Sequence, residues 1–201
     1  MPIGRFGRGF FGKGRNFMLI LASASPRRKE LLELANYEFR CIPSDAEENM
    51  DDFQSVEQLT MDLAALKARD VFRNHPNDVV IGADTVVAID GKVLGKPKDQ
   101  ADARRMLEML SGREHRVSTG VAICSPRGEE IFCVSAGVEF YPLSAREISD
   151  YVASGEPMDK AGAYGIQGLG ALLIKGICGD YYTVMGLPIA ELSRRLKNHV
   201  E

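Results

Sequence analysis

The chain has 201 residues, 45% of them hydrophobic, and a formal charge of −3. This suffices for one good core, or for two small lobes around a shared sheet, and gives no global attraction to nucleic acid. Four cysteines without a CxxC pair and three scattered histidines exclude zinc-ligand spacing; no run nears the roughly 18 apolar residues of a membrane span.

Residues 1–17 are Gly-rich and basic, with Arg5, Arg8, Lys13 and Arg15 and no acidic residue. No apolar region follows the charges, so they do not form a secretory signal. Gly7-Arg8-Gly9-Phe10-Phe11-Gly12 matches GxGxxG, and Gly7 to Lys13 matches part of a P-loop. Neither follows a strand, and Gly14 stands where a P-loop needs Ser or Thr. The stretch reads as a disordered extension ahead of a start at Met18, with a tail touching RNA or phospholipid as the functional alternative.

The chain then enters a short apolar strand, Leu19-Ile20-Leu21, and passes through Ser23 and Ser25 to Pro26 and a helical pattern. Ser25 suits the N-cap and Pro26 the first helical position. The helix N-terminus points its free N–H groups beyond the strand, where anions bind. Arg27 and Arg28 oppose the helix dipole in that first turn, which points to an anionic partner such as phosphate; the plain alternative is two solvated arginines. Residues 38–43 read as a second strand and residues 44–53 as an acidic loop with Glu47 and Glu48, either solvated or metal-binding. Ser55 with Gln58 forms a capping box for a helix with Leu59, Leu63 and Leu66 on its apolar stripe. Lys67 on that helix could reach a phosphate or simply face water.

Residues 78–89 read as the most buried strand region. Seven β-branched residues enclose Asp84 there, and a carboxylate among them is expensive without a partner. Asp84 is therefore a site candidate, with a capped structural aspartate as the alternative. Asp90-Gly91 is a type I′ hairpin signal that returns the chain through residues 92–94 and brings Lys96 near the Asp84 end. Asp99 caps the next helix, which Ser111-Gly112 ends. Two antiparallel strands follow over residues 115–124 and 131–140. Ser144 with Glu147 opens another helix, ending at Gly155. Residues 156–170 are too rich in glycine for a helix, and place Asp159, Lys160 and Gln167 among residues small enough to admit a flat ligand. Gln167 offers both a donor and an acceptor to a base edge. Strands near residues 172–177 and 181–185 and a helix from Pro188 to about Asn198 complete the chain. Basic groups, a helix N-terminus and isolated carboxylates together describe metal-assisted attack of water on a phosphate chain.

Five ordered motifs carry a family resemblance: Ser23-Ala24-Ser25-Pro26-Arg27-Arg28, Gly82-Ala83-Asp84-Thr85, Lys96-Pro97, Ser111-Gly112, and the run from Asp159 to Gly168. Together they resemble the Maf family of nucleoside triphosphate pyrophosphatases, from about Met18 to the C-terminus. The resemblance implies a single domain over residues 18–201 beyond the basic extension 1–17. Its fold would be α/β, with a mixed central sheet in an elongated, two-lobed, inosine-triphosphatase-like arrangement and a cleft between the lobes. It also implies hydrolysis to a monophosphate and pyrophosphate with a divalent cation, Mg²⁺ or Mn²⁺, in a homodimer that binds a nucleoside triphosphate; the scattered cysteines separately read as reduced thiols of a cytoplasmic protein, and charge and hydropathy predict no nucleic-acid or membrane partner.

Position by position, Asp84 resembles the family's proton acceptor. Arg27, Thr85 and Gln167 match the positions of base choice in the branch acting on dTTP and UTP, and Arg27 could serve phosphate as well as base. Ser23, Ser25, Arg28, Lys67, Lys96 and Lys160 correspond to the triphosphate-binding set. Glu48 with Asp84 matches the metal position, with Glu47 as the alternative to Glu48. Gly95 stands where relatives often carry a glutamate. A non-catalytic nucleotide-binding regulator of septum formation and a phosphate-monoester hydrolase are the other classes considered.

Overall fold

The computed structural model describes residues 17–47 and 53–200; all but Phe17 of the extension expected over residues 1–17, and Glu48, lie outside the described residues. The strand expected around Asp84 is β3 (Val79–Ile89), buried at every position except the half-buried Thr85. β-branched side chains favour such a pleated, covered surface. Strand β5 (Glu114–Ser125) runs antiparallel along one edge of β3, from Val80↔Cys124 to Ala88↔Arg116. The other edge is shared. Strand β1 (Leu19–Leu21) lies parallel to residues 79–81, and β4 (Lys92–Leu94) returns antiparallel to residues 87–89. The turn between β3 and β4 has positive φ at both Asp90 (51°) and Gly91 (74°), as a type I′ turn requires.

Strand β2 (Arg40–Cys41) flanks β1, while β6 (Gly128–Phe140) and β7 (Ile174–Cys178) extend the sheet beyond β5. Among the described residues this gives a seven-stranded mixed sheet in the order β2-β1-β3-β5-β6-β7, with β4 beside β3. The mixed α/β class is as expected, although β2 is shorter than residues 38–43.

The helices are α1 (Pro26–Leu34), α2 (Val56–Phe72), α3 (Gln100–Leu110), α4 (Ala145–Ala153), α5 (Tyr181–Met185) and α6 (Ile189–Val200). Helices α1 and α6 bury Leu31, Leu32, Leu192 and Leu196 against Leu21, Ile81, Val121 and Ile123. A second core joins Leu107 and Leu110 of α3, Ile148 and Val152 of α4, and Val87, Val117 and Phe140 of the sheet. Two cores along one sheet leave room for a cleft between them. Helix α2 covers the opposite face through Ala64, Ala65 and Ala68, packed on Ile20, Val80 and Ala122. It lies unusually near the sheet because β3 and β5 offer it glycines. A β-carbon at Gly82 would fall 2.2 Å from the Ala64 carbonyl oxygen, and one at Gly120 equally close to that of Thr60.

Residues 181–185, expected as a strand, instead form α5. The Asp180 side chain accepts hydrogen bonds from the Thr183 N–H and Oγ1, both at 2.7 Å, and Gly186 takes a left-handed conformation after the last residue. A strong N-cap and a glycine C-terminus outweigh the β-propensity of a Tyr-Tyr-Thr-Val run. The Ser144–Glu147 capping box is complete. At Ser55 only half of one forms: its side chain accepts from the Gln58 N–H, while the Gln58 amide turns to Asp62 at 2.8 Å.

Candidate active site

The site begins with a break in the sheet. Strand β1 leaves β3 after Ile81, where the Ala22 N–H makes a last bond of 2.8 Å to the Ile81 carbonyl, and β4 joins the same edge only at Val87. Among the described residues, no strand therefore lies beside residues 82–86 on that edge. A cleft of about 700 Å³ opens there, lined by residues 22–28, Lys67, Asp84, Thr85, Lys96, Asp159, Lys160 and the end of α5. Side chains on both faces of β3 can reach one ligand through such a gap.

Asp84 is only 8% exposed, and the Lys67 ammonium meets its Oδ1 at 2.6 Å. Burying either charge alone would be costly, and the pair offsets this through a short charge-assisted bond. The close seat of α2 makes it possible: Ala64, Lys67 and Ala68 share one helix face, so docking the alanines on Gly82 sets Lys67 over Asp84. One carboxylate oxygen is thereby fixed and Oδ2 remains for other chemistry.

On the opposite face of β3, the Arg28 guanidinium donates from Nε to the Gly186 carbonyl at 2.9 Å, from Nη1 to Ser23 Oγ at 3.2 Å and from Nη2 to Thr85 Oγ1 at 3.1 Å. The partners expected to be phosphate oxygens thus include protein groups that tie α1 to β3 and α5. Ser25 stands at the N-cap of α1, but its side chain makes no capping bond. Its N–H donates to Ser23 Oγ instead, at 3.2 Å. Arg27 faces the other lobe and pairs with Asp159 at 3.7 Å across the cleft. Asp159 also contacts Lys160 at 2.6 Å. Burial works to raise the Asp159 pKa, but the Lys160 ammonium and the Arg27 guanidinium outweigh it and hold the carboxyl below its usual value. Lys96 is exposed beside Gly95, whose carbonyl accepts from the Gly162 N–H at 3.0 Å, so the two lysine-bearing loops are joined.

Gln167 is exposed and lies outside the residues lining the cleft, at the start of a 3₁₀ turn over Gly168–Leu173. The turn is pinned by Glu156, whose carboxylate accepts from the Leu169 and Gly170 N–H groups at 3.0 and 3.1 Å and from the Tyr151 hydroxyl at 3.0 Å. Glu47 is exposed on the acidic loop. That loop is anchored to α2 by Asp70, which accepts from Ser44 Oγ at 2.7 Å and from the Asp45 N–H at 3.2 Å. Among the described residues no group of three or more His, Cys, Asp or Glu is placed to hold a metal by itself.

Glu156 and Asp70 carry no local sequence signal; only the folded loops show what they hold. Thr119 is equally hidden, its only local trace being a Ser-Thr-Gly run midway along β5.

A family model described as Maf-like protein matches residues 18–199. A protein of Geobacillus sp. named dTTP/UTP pyrophosphatase is 53% identical over 179 residues, covering 89% of this chain and 96% of that one. One of the same name from Bacillus mycoides is 52% identical over 179 residues, covering 89% and 94%. Among solved structures, a dITP/XTP pyrophosphatase from Mycobacterium abscessus superposes at a TM-score of 0.45 with 15% identity, over 90% of this chain and 98% of that chain.

Proposed function

The chain belongs to the Maf family, and from that premise we propose that it hydrolyses nucleoside triphosphates, dTTP and UTP foremost, to the monophosphate and pyrophosphate. The observation that carries the reading is the Lys67–Asp84 pair at the open edge of β3, ringed by Arg27, Lys96 and Lys160. The names of the two relatives above supply the substrates.

In this mechanism Asp84 accepts the proton of a water that attacks the α-phosphorus. Lys67 holds the carboxylate by Oδ1 so that Oδ2 receives that proton, and positioned bases of this kind contribute about 10²–10⁴-fold. Lys96 and Lys160 stabilise charge that develops on the phosphate oxygens, as does the N-terminus of α1 with its uncapped first turn. Arg27 is available to substrate once it parts from Asp159, an ion pair weakened by its length and by the 62% exposure of the Asp159 side chain. Pyrophosphate leaves from the far side of the phosphorus.

A divalent cation fits this donor set. The Asp84 carboxylate is a hard oxygen ligand, no thiol or imidazole of the described residues lines the cleft, and Mg²⁺ is commonly held by one or two carboxylates together with substrate phosphates. Asp84 would hold it, with Glu48 or Glu47 of the acidic loop. When bound, the cation supplies charge neutralisation among the phosphate oxygens and lowers the pKa of a coordinated water. The family reading also carries a homodimer, and the scattered cysteines a cytoplasmic location, which sedimentation and cell fractionation would check.

The test is a panel of canonical triphosphates with Mg²⁺, with pyrophosphate and orthophosphate measured separately, for the wild type and Asp84→Asn. Pyrophosphate should appear, most rapidly from dTTP and UTP. Asp84→Asn should lose at least about a hundredfold in turnover while keeping its fold. Full activity in that variant removes Asp84 from the mechanism, and binding without turnover in the wild type would favour a regulator.

A further inference from the structure

We infer that the buried Thr119 is a positioning residue that fixes the direction of the Thr85 hydroxyl and thereby selects a base bearing a ring N–H, as uracil and thymine do, against cytosine. The inference rests on the proposed reading for its substrates and on hydrogen-bond bookkeeping for its content. Thr119 is fully buried on β5, directly opposite Thr85 in register. Its Oγ1 donates to the Thr183 carbonyl at 2.8 Å, which uses its one hydrogen. The oxygens of Thr119 and Thr85 are 2.9 Å apart, so the proton between them belongs to Thr85. Arg28 Nη2 donates to the same Thr85 oxygen at 3.1 Å. The chain of donors therefore runs one way, from Arg28 to Thr85 to Thr119 to the backbone of α5.

Both ends of this chain are anchored. Arg28 is also held by Ser23 Oγ and the Gly186 carbonyl. Thr183 is held by the Asp180 carboxylate. The Thr85 oxygen has given its hydrogen inward and accepted one bond, so what it can offer the cleft is a lone pair. A lone pair welcomes the N3–H of uracil or thymine. Cytosine presents an acceptor at N3, and two acceptors face to face leave both unpaired, a mismatch that a pocket built on hydrogen bonds rejects strongly. Thr119 does this without touching substrate.

The test uses the full chain and measures, by calorimetry, the binding of non-hydrolysable α,β-methylene analogues of UTP and CTP to the wild type, Thr119→Val and Thr119→Ser. Valine keeps the volume, and the Thr183 carbonyl keeps its bond from the Gly186 N–H at 3.1 Å, so the loss is confined to the acceptor of Thr85. The Thr85 hydroxyl is then free to turn and donate outward. The wild type should prefer the UTP analogue. Thr119→Val should narrow that ratio about tenfold, with CTP-analogue affinity rising, and Thr119→Ser should restore it. A merely structural role would weaken both ligands together. An unchanged ratio in folded Thr119→Val, or a wild type indifferent to the base, overturns the inference. If the valine variant fails to fold, Thr119→Ala carries the same test. Pyrophosphate release from UTP, followed in the same samples, reports separately on the proposed activity.

Discussion

Replacing Gly82 with alanine tests how the catalytic pair is assembled. The added β-carbon would lie 2.2 Å from the Ala64 carbonyl oxygen, 2.7 Å from the Ala68 nitrogen and 2.9 Å from the Ala68 β-carbon. The first contact is about 1.2 Å short of the 3.4 Å at which ordinary contact begins. Two of these three atoms belong to helix backbone and cannot rotate away, so α2 must lift from the sheet. Overpacking of this kind costs about 3 kcal/mol. At about 2–4 °C per kcal/mol for a chain of this size, the midpoint of thermal unfolding should fall by about 6–12 °C. Activity should fall further than stability, because lifting α2 withdraws Lys67 from its 2.6 Å contact with Asp84. Calorimetry with a pyrophosphate-release assay on the same samples measures both. Gly176→Ala is the control, since no described residue lies within 4 Å of a β-carbon there, and it should melt within about 2 °C of the wild type. A Gly82→Ala protein with wild-type melting and turnover would refute the close docking of α2 and the placement of Lys67 that follows from it.

Stability should decline in mild acid through His115, a buried imidazole whose Nε2 meets the Tyr164 hydroxyl at 2.7 Å. Burial lowers its pKa from 6.5 to about 4, the Arg113 backbone acting in the opposite sense. The unfolded chain therefore binds the extra proton between those values, and this group's contribution of about 3 kcal/mol is present above pH 6.5 and lost as pH falls toward 4. Urea unfolding across that window should show a shallower pH dependence in the double variant His115→Phe/Tyr164→Phe; an unchanged slope would contradict the assignment. Glu156→Ala should cost about 2 kcal/mol by leaving the Leu169 and Gly170 N–H groups without their carboxylate. Faster amide exchange over residues 165–170 and a raised KM would accompany it, and protection as in the wild type would show that Glu156 does not pin the turn.

Local chemistry made much of this molecule legible. The β-branched run around Asp84, the Asp-Gly turn after it and the Ser144–Glu147 box each act within a few residues, and each forms where its residues say. Residues 181–185 misled because their β-propensity is visible while the Asp180 cap decides. At the site, Asp84 advertised its need for a partner by the apolar residues around it. That the partner is Lys67, 17 residues earlier, depends on how closely α2 can approach, which Gly82 and Gly120 decide on two separate strands. Arg28 shows the opposite limit. Its charge against the helix dipole called for an acceptor, and Ser23, Thr85 and Gly186 answer that need within the fold. The gap in the β3 edge arises from where β1 stops and β4 begins, a matter of pairing partners far apart in the chain.

Water attack at the α-phosphorus is tested by turnover of dTTP with Mg²⁺ in heavy-oxygen water, the products being weighed by mass spectrometry. Attack there places one heavy oxygen in thymidine monophosphate and none in pyrophosphate. Label in pyrophosphate, or orthophosphate as the first product, would contradict it.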